Sequence, residues 1–167
     1  LYVRPAADVD ERWWHHGIRI EDDALVTPEG CELLSRGVRA DSLTPGALPA
    51  AGTLDRARLQ EMLNFVSTEV HKTYSPFFRG IEGAARDAQI ALLDSRLKLV
   101  ESRLADGREW LLGATFTPAD AYLFTVTNWS KFVNLDISAL THLGAFMQRV
   151  AARPAVQEAM KAEGLIK

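Results

Sequence analysis

The sequence has little of what marks disulfide-stabilised, zinc-cluster, nucleic-acid-binding or membrane proteins. Cys31 is the only cysteine among 167 residues, which excludes an internal disulfide framework and a cysteine zinc cluster. Nineteen basic and 22 acidic residues give a net charge of −3. The sequence therefore has no excess of positive charge that would bind nucleic acid or an anionic membrane. No signal-peptide pattern opens the sequence, and no apolar run approaches a membrane-spanning length. We therefore expect a soluble, cytoplasmic protein whose partners are small molecules or other proteins.

The residues that are present divide the chain into an irregular first quarter and a helical remainder. Two prolines and two glycines among small residues in 42–53 predict a linker. Before it, 1–41 has no clear period, with a possible hairpin in "IRIEDDALVT" and a short helix in "PEGCELLSRG". After it, 54–167 shows apolar residues at steps of three and four. The predicted helices are 54–74, 84–106, one from the capping position 117 through 133 that is apolar nearly all round, 138–152, and a short one opened by Pro154. The fold class is mainly α, a bundle of about five helices.

The stretch "GATFTPADAYLFTVTNW" places a threonine three residues before an aspartate at the start of an apolar run. Thr117 and Asp120 have the spacing of a reciprocal capping box, and Pro118 suits the first helical position. A catalytic carboxylate is the competing interpretation for Asp120. The local pattern favours the structural one, a helix cap.

A polar stripe on the first long helix is the main candidate for chemistry. Asn64, Thr68 and His71 follow one another at i, i+4 and i+7, with Glu69 and Lys72 beside them. Side chains at that spacing share one face of an α-helix. An amide, a hydroxyl, an imidazole and an ammonium group on one patch would suit the carboxylates and amides of a polar ligand. The alternative is that the stripe is the solvated side of the helix.

The remaining histidines and the cysteine give weaker signals. His15 and His16 are adjacent and point in different directions, without a partner at a metal-ligand spacing, so we predict no metal site. Cys31 has no identifiable base beside it and is interpreted as an inert thiol. Trp129 on the third helix is typical of a core aromatic, although it would also suit the wall of an apolar pocket. His142 is expected at the surface.

Three segments together resemble one known family. They are "LQEMLNFVSTEVHKTYSPFFR", "WLLGATFTPADAYLFTVTNW" and "LGAFMQRVAARPAVQEAMKAEGL". In order and spacing they resemble the C-terminal helical domain of bacterial beta-class glutathione transferases. The resemblance covers 54–167 and implies an all-α domain there, preceded by a reduced thioredoxin-like segment over 1–41.

The resemblance also implies a ligand and site residues. It implies glutathione as co-substrate, a small hydrophobic electrophile as second substrate, and a homodimer. In the family, residues matching the stripe contact glutathione, some of them across the dimer interface, and the residue matching Trp129 lines the pocket for the hydrophobic substrate. The implied glutathione-binding set is Glu29, Gly30, Asn64, Thr68, Glu69, His71 and Lys72, with Glu29 and Gly30 matching an acidic-plus-small pair.

The first 41 residues depart from the family pattern. Asp8 stands where the resemblance would put the beta-class cysteine, and its negative charge would disfavour a thiolate. The stretch before Glu29 is too short for the family's usual strands and helices, and no valine-proline pair is present for its cis-proline loop. No residue can be assigned to thiol activation.

Two functions from different classes follow. One is a transferase that joins the glutathione thiolate to an apolar electrophile. The other is a non-catalytic binding or scaffold module built on the same bundle. A shortened product of a longer enzyme is a third alternative, which intact mass compared with the reading frame would identify.

Overall fold

The computed structural model describes residues 48–166 and, upstream, the backbones of 24–27 and 30–33. The chain divides into two compact units, Leu1–Leu43 and Thr44–Lys167, and the division falls within the segment predicted as a linker. Each unit is described by itself.

The described part of the first unit is a two-stranded hairpin. Strand β1 (Ala24–Thr27) pairs antiparallel with β2 (Gly30–Leu33), with Ala24 opposite Leu33 and Thr27 opposite Gly30. The sequence predicted a hairpin that includes β1 but placed a short helix where β2 lies, and that helix prediction is wrong for 30–33. A helix of so few residues is unstable in isolation, whereas pairing with β1 satisfies the same backbone groups.

The second unit begins with a continuous helical rod whose hydrogen-bonding pattern changes along its length. It comprises α1 (Leu54–Phe65), a π-helical segment (Val66–His71) and α2 (Lys72–Tyr74). The Thr53 hydroxyl oxygen caps its start by accepting from the Arg56 N–H at 3.2 Å. The rod's predicted bounds are confirmed, and the π segment within it was not predicted.

Four more helices complete the unit. They are α3 (Gly83–Leu104), α4 (Pro118–Thr127), α5 (Thr141–Ala151) and α6 (Pro154–Ala162). One 3-10 turn, Phe77–Arg79, lies between the rod and α3, and another, Asn128–Lys131, lies between α4 and α5. Gly107, just beyond α3, has φ of +85°, a left-handed conformation that glycine adopts without a side-chain clash.

The predicted apolar stripes form one core. Helix α4 packs against the rod and α5, and α3 packs against α5 and the rod. Buried members of the stripes are Leu59, Met62, Val66, Val70, Leu93, Leu97, Val100, Leu104, Leu123, Val126, Leu143, Phe146 and Val150. The third predicted helix is shorter than expected, because the chain tightens into a 3-10 turn at Asn128 and leaves Phe132 exposed. Within the described residues, no helix has both the length and the apolar character needed to cross a membrane.

Candidate functional site

Asp120 is bound into the fold rather than presented to a ligand. Its Oδ2 accepts from the Thr117 N–H at 2.7 Å and from the Thr117 hydroxyl at 2.8 Å, which completes the capping box. Its Oδ1 accepts from the Leu111 N–H at 2.8 Å. Burial raises the pKa of this carboxyl group, and the hydrogen bonds from Leu111 and Thr117 act in the opposite direction. With its acceptor atoms engaged and its side chain inaccessible, Asp120 fixes the start of α4 and the preceding loop.

Two residues of the polar stripe lie on the exposed surface of the rod. Asn64 and Thr68 are both exposed, and the Thr68 hydroxyl donates to the Asn64 carbonyl oxygen at 3.0 Å. Lys72, one turn further along, is also exposed. Their side chains are therefore available for a ligand that approaches this surface.

Glu69 and His71 turn toward different helices. The Glu69 carboxylate forms an ion pair with Arg96 of α3, with 2.9 Å between Oε2 and Nε. His71 instead contacts α4, where its Nδ1 lies 2.6 Å from the Tyr122 hydroxyl oxygen. Residues two positions apart on a helix do not face each other, so the two side chains diverge although the sequence groups them. They do not form a single patch within one chain.

The π segment lies where these candidates are. Val66–His71 includes Thr68, Glu69 and His71, and the Lys72 N–H donates to the carbonyl of Ser67, five residues earlier. The wider turn changes the angle between successive side chains, so faces inferred from α-helical spacing shift across it. Single π turns inside α-helices are frequent at functional sites.

Trp129 belongs to an aromatic cluster that contacts the rod at His71. Its ring meets the His71 imidazole edge-on, with 4.8 Å between centroids, and the Phe78 ring at 5.4 Å. It also meets Tyr74 at 5.9 Å, and the Tyr74 hydroxyl shares a 2.6 Å hydrogen bond with Ser130. Trp129 is half-buried and Phe78 is exposed, so an apolar surface continues from the histidine outward.

Several predicted positions cannot be placed in this arrangement. Asp8 and Glu29 lie outside the described residues, and Gly30 is described only as the first residue of β2. His15 and His16 also lie outside them, whereas His142 is exposed at the start of α5. Among the side chains that the structure describes, no cluster of three or more His, Cys, Asp or Glu residues could hold a metal ion.

Sequence reasoning missed three residues that shape the site. Tyr122 contacts His71, Arg96 pairs with Glu69, and Phe78 contacts Trp129. Each contact joins residues from different segments, so no spacing within one helix could identify it. Phe78 had only one local signal, its place in the short "SPFFR" stretch after the rod.

Comparison with known proteins identifies the family. The profile of the glutathione S-transferase C-terminal domain matches residues 65–154, more than half of the chain. The chain belongs to the glutathione S-transferase family. Glutathione S-transferase GstA of Escherichia coli O157:H7 is 40% identical over 146 residues, which span 86% of this chain and 71% of that protein.

Solved structures of family members share the fold. A glutathione transferase from Methylococcus capsulatus is 47% identical with a TM-score of 0.69, over 72% of this chain and 60% of that one. A sphingomonad glutathione S-transferase solved in complex with glutathione is 35% identical with a TM-score of 0.71, over 86% and 74%. The beta-class enzyme of Sphingomonas chungbukensis is 36% identical, with the same TM-score and coverage. The resemblance to bacterial beta-class glutathione transferases is thus confirmed.

The chain is shorter than these family members. It spans 60% of the Methylococcus chain and 71% of the Escherichia protein. The family assignment rests most firmly on the helical unit, which contains the matched 65–154.

Proposed function

We propose that this chain binds glutathione and transfers it to small hydrophobic electrophiles, as a cytoplasmic homodimer. The observation that carries the proposal is the juxtaposition of His71 with Trp129 in a chain of this family. A hydrogen-bonding imidazole and an aromatic surface adjoin at 4.8 Å between ring centroids. A glutathione thiol beside an apolar electrophile needs those two environments next to each other.

Different residues are proposed to bind different parts of glutathione. Asn64, Thr68 and Lys72 offer an amide, a hydroxyl and an ammonium group on the exposed rod, which suit the carboxylates and peptide groups of glutathione. Glu29 and Gly30 are proposed for the γ-glutamyl end. Because Glu69 and His71 diverge within one chain, we propose that they act in the two different glutathione sites of a homodimer.

The transfer itself is a nucleophilic substitution at carbon. The glutathione sulfur, as thiolate, donates an electron pair to an electrophilic carbon and forms a C–S bond. In a substitution the leaving group departs with the electron pair of its own bond to carbon. Trp129 and Phe78 hold the apolar body of the electrophile, and the group that stabilises the thiolate is not assigned.

Calorimetric titration with glutathione tests the binding claim. We expect saturable heat for the wild-type chain and an affinity on the order of tenfold lower for Asn64→Ala and His71→Ala, because each loses a hydrogen bond to a charged ligand. His142→Ala removes an exposed histidine on α5 and serves as the control with unchanged affinity. Absence of heat at millimolar glutathione would contradict the proposal.

A conjugation assay separates the enzyme from a binding module. Glutathione and an activated aryl halide should give a thioether at a rate that depends on the protein. The module is favoured by Asp8, at the position that the family resemblance gives to a cysteine. Glutathione binding without protein-dependent thioether formation would support that alternative.

A further inference from the structure

We propose that Arg86 is a positioning residue for Trp129, the ring proposed to hold the apolar electrophile. Arg86 lies in the first turn of α3, and its Nη2 donates to the Val133 carbonyl oxygen at 2.6 Å. Val133 is buried and lies two residues after the Asn128–Lys131 turn that contains Trp129. The substrate role of Trp129 rests on the proposed function, whereas the hold of Arg86 on the Trp129 segment is measurable without glutathione.

The backbone after Trp129 links the ring to the point that Arg86 holds. The Trp129 carbonyl oxygen accepts from the Val133 N–H at 3.1 Å. The residues that follow are also tied to the turn, because the Leu135 N–H donates to the Ser130 carbonyl oxygen at 2.9 Å. A displacement of Val133 is therefore transmitted to Trp129 through the hydrogen bonds of one tight turn.

This stretch of backbone contains a left-handed residue. Asn134 has φ of +53°, a conformation that costs free energy for a residue with a side chain, although asparagine tolerates it better than most. The peptide group between Val133 and Asn134 includes the carbonyl oxygen to which Arg86 donates. A guanidinium donor gives a stronger hydrogen bond than a neutral donor. Arg86 thus fixes the peptide group that leads into the left-handed residue.

Arg86 also reaches the segment that carries the second aromatic ring. Its guanidinium carbon lies 5.6 Å from the centroid of the Phe77 ring, within the range of a cation–π contact. Phe77 directly precedes Phe78, whose ring meets Trp129 at 86° with 5.4 Å between centroids. One side chain of α3 therefore contacts both segments, and the spacing of the two rings depends on it.

The arrangement has a consequence for an apolar ligand. A ring held in one orientation offers its surface without the entropy cost of ordering it, whereas a mobile ring must be ordered when the ligand binds. Arg86→Met keeps a long apolar stem but removes the donor and the charge, so its contacts with the Val133 carbonyl and the Phe77 ring are lost. We expect the dissociation constant of an uncharged aromatic ligand to rise on the order of fivefold, the usual cost of ordering one side chain.

Nitrogen-15 NMR of the whole chain, titrated with nitrobenzene in the absence of glutathione, tests the role of Arg86. The indole N–H region contains four tryptophans, and Trp129→Phe assigns the one of interest. In the wild type we expect a sharp Trp129 signal that shifts saturably with nitrobenzene. In Arg86→Met we expect a displaced or broadened signal and the weaker affinity. Arg86→Lys keeps a positive charge but not the planar guanidinium, and should lie between the two.

Arg103→Met is the matched control on the same helix. Arg103 Nε donates to the Leu111 carbonyl oxygen at 3.1 Å, so this variant also loses a bond from a guanidinium to a backbone carbonyl, but at the opposite end of α3. We expect the Trp129 signal and the nitrobenzene affinity to stay at their wild-type values. Equal changes in Arg103→Met and Arg86→Met would show a general loosening of the bundle and overturn the positioning role.

The outcomes separate this inference from the proposed function. Wild-type affinity and an unmoved Trp129 signal in folded Arg86→Met would overturn the positioning role, and the same result in Arg86→Lys would do so if Arg86→Met does not fold. A wild-type Trp129 signal that nitrobenzene does not shift would overturn it as well. Nitrobenzene binding that depends on Arg86, in a protein that forms no thioether from glutathione and an aryl halide, would instead retain the positioning role and overturn the proposed transfer.

Discussion

At the scale of single residues, one buried carboxylate connects two segments of the chain. Asp120 accepts from the Thr117 N–H and hydroxyl and from the Leu111 N–H. The Thr117 bonds follow from a three-residue spacing and were predictable. The Leu111 bond spans nine positions of the chain, most of them in a loop whose path no local pattern specifies. Asp120, which could be interpreted as a catalytic residue, therefore stabilises the start of α4, the helix that contains Tyr122.

We predict that Asp120→Ala lowers the free energy of unfolding by about 3 kcal/mol, because it leaves buried donors without acceptors. Asp120→Asn, which keeps one carbonyl oxygen, should cost about half as much. Denaturant titration monitored by circular dichroism measures both. Asp136 is the control, an exposed aspartate that accepts from the Ser138 N–H at 2.9 Å, and Asp136→Ala should cost under about 1 kcal/mol. Equal losses at the two positions would contradict the buried role of Asp120.

At the scale of helices, periodicity predicted where the elements lie but not how they meet. The apolar steps of the rod continue across Val66–His71, so the sequence gives no sign that the backbone there is π-helical. Glu69 and His71 diverge because they are two positions apart on the rod, and the π turn only changes the angle between them. Similarly, the predicted polar stripe was a property of one helix, whereas its contacts are set by Arg96 of α3 and Tyr122 of α4.

Another contact between helices was not predictable: α3 caps α5. Leu140 precedes α5 and has no polar side chain to cap it. Glu101 of α3 supplies the acceptors instead, with Oε1 3.0 Å from the His142 N–H and Oε2 2.7 Å from the Leu143 N–H. A carboxylate at a helix N-terminus also interacts favourably with the helix dipole. The cap of α5 is thus supplied by Glu101, which lies 41 positions before His142 and 42 before Leu143.

We predict that Glu101→Ala destabilises the protein by about 1–2 kcal/mol, the usual cost of a lost N-cap. The amides of His142 and Leu143 should exchange with solvent faster than those at the centre of α5. Hydrogen exchange followed by NMR measures both the local and the global effect. Glu61→Ala, at an exposed position on α1, should leave exchange in α5 unchanged. Uniform acceleration with no excess at the start of α5 would show that Glu101 does not act as its cap.

At the scale of the molecule, the bundle was predictable because its core is built from apolar residues at helical spacing within each helix. Stripes on α1, α3 and α5 bury the residues that their spacing selects, among them Leu59, Leu97 and Phe146. The first 41 residues have no such periodicity. The short helix predicted there is wrong at β2, which pairs with β1 instead. Strand pairing depends on a partner elsewhere in the chain. The candidate site was partly predictable for the same reason, since its rod residues are local and their partners are not.

The proposed homodimer requires a surface on the helical unit. Helix α3 exposes Leu92 and Leu99, which are 41% and 52% accessible and lie seven residues apart on one face. Arg96, between them in sequence, pairs with Glu69 of the rod. A dimer closing over this face would bring the Glu69 side of one chain toward its partner, as the division of Glu69 and His71 between two sites requires.

We predict that the wild type has twice the mass of one chain in solution at micromolar concentration. Leu99→Glu should raise the dimer dissociation constant at least about tenfold, because it places an unpaired charge in an apolar interface. Phe132→Glu makes the matched control, since Phe132 is 68% exposed but lies after the Asn128–Lys131 turn rather than on α3. Light scattering after size exclusion, over a dilution series, measures the masses. A monomeric wild type, or dissociation by Phe132→Glu alone, would place the glutathione site within a single chain and leave Glu69 outside it.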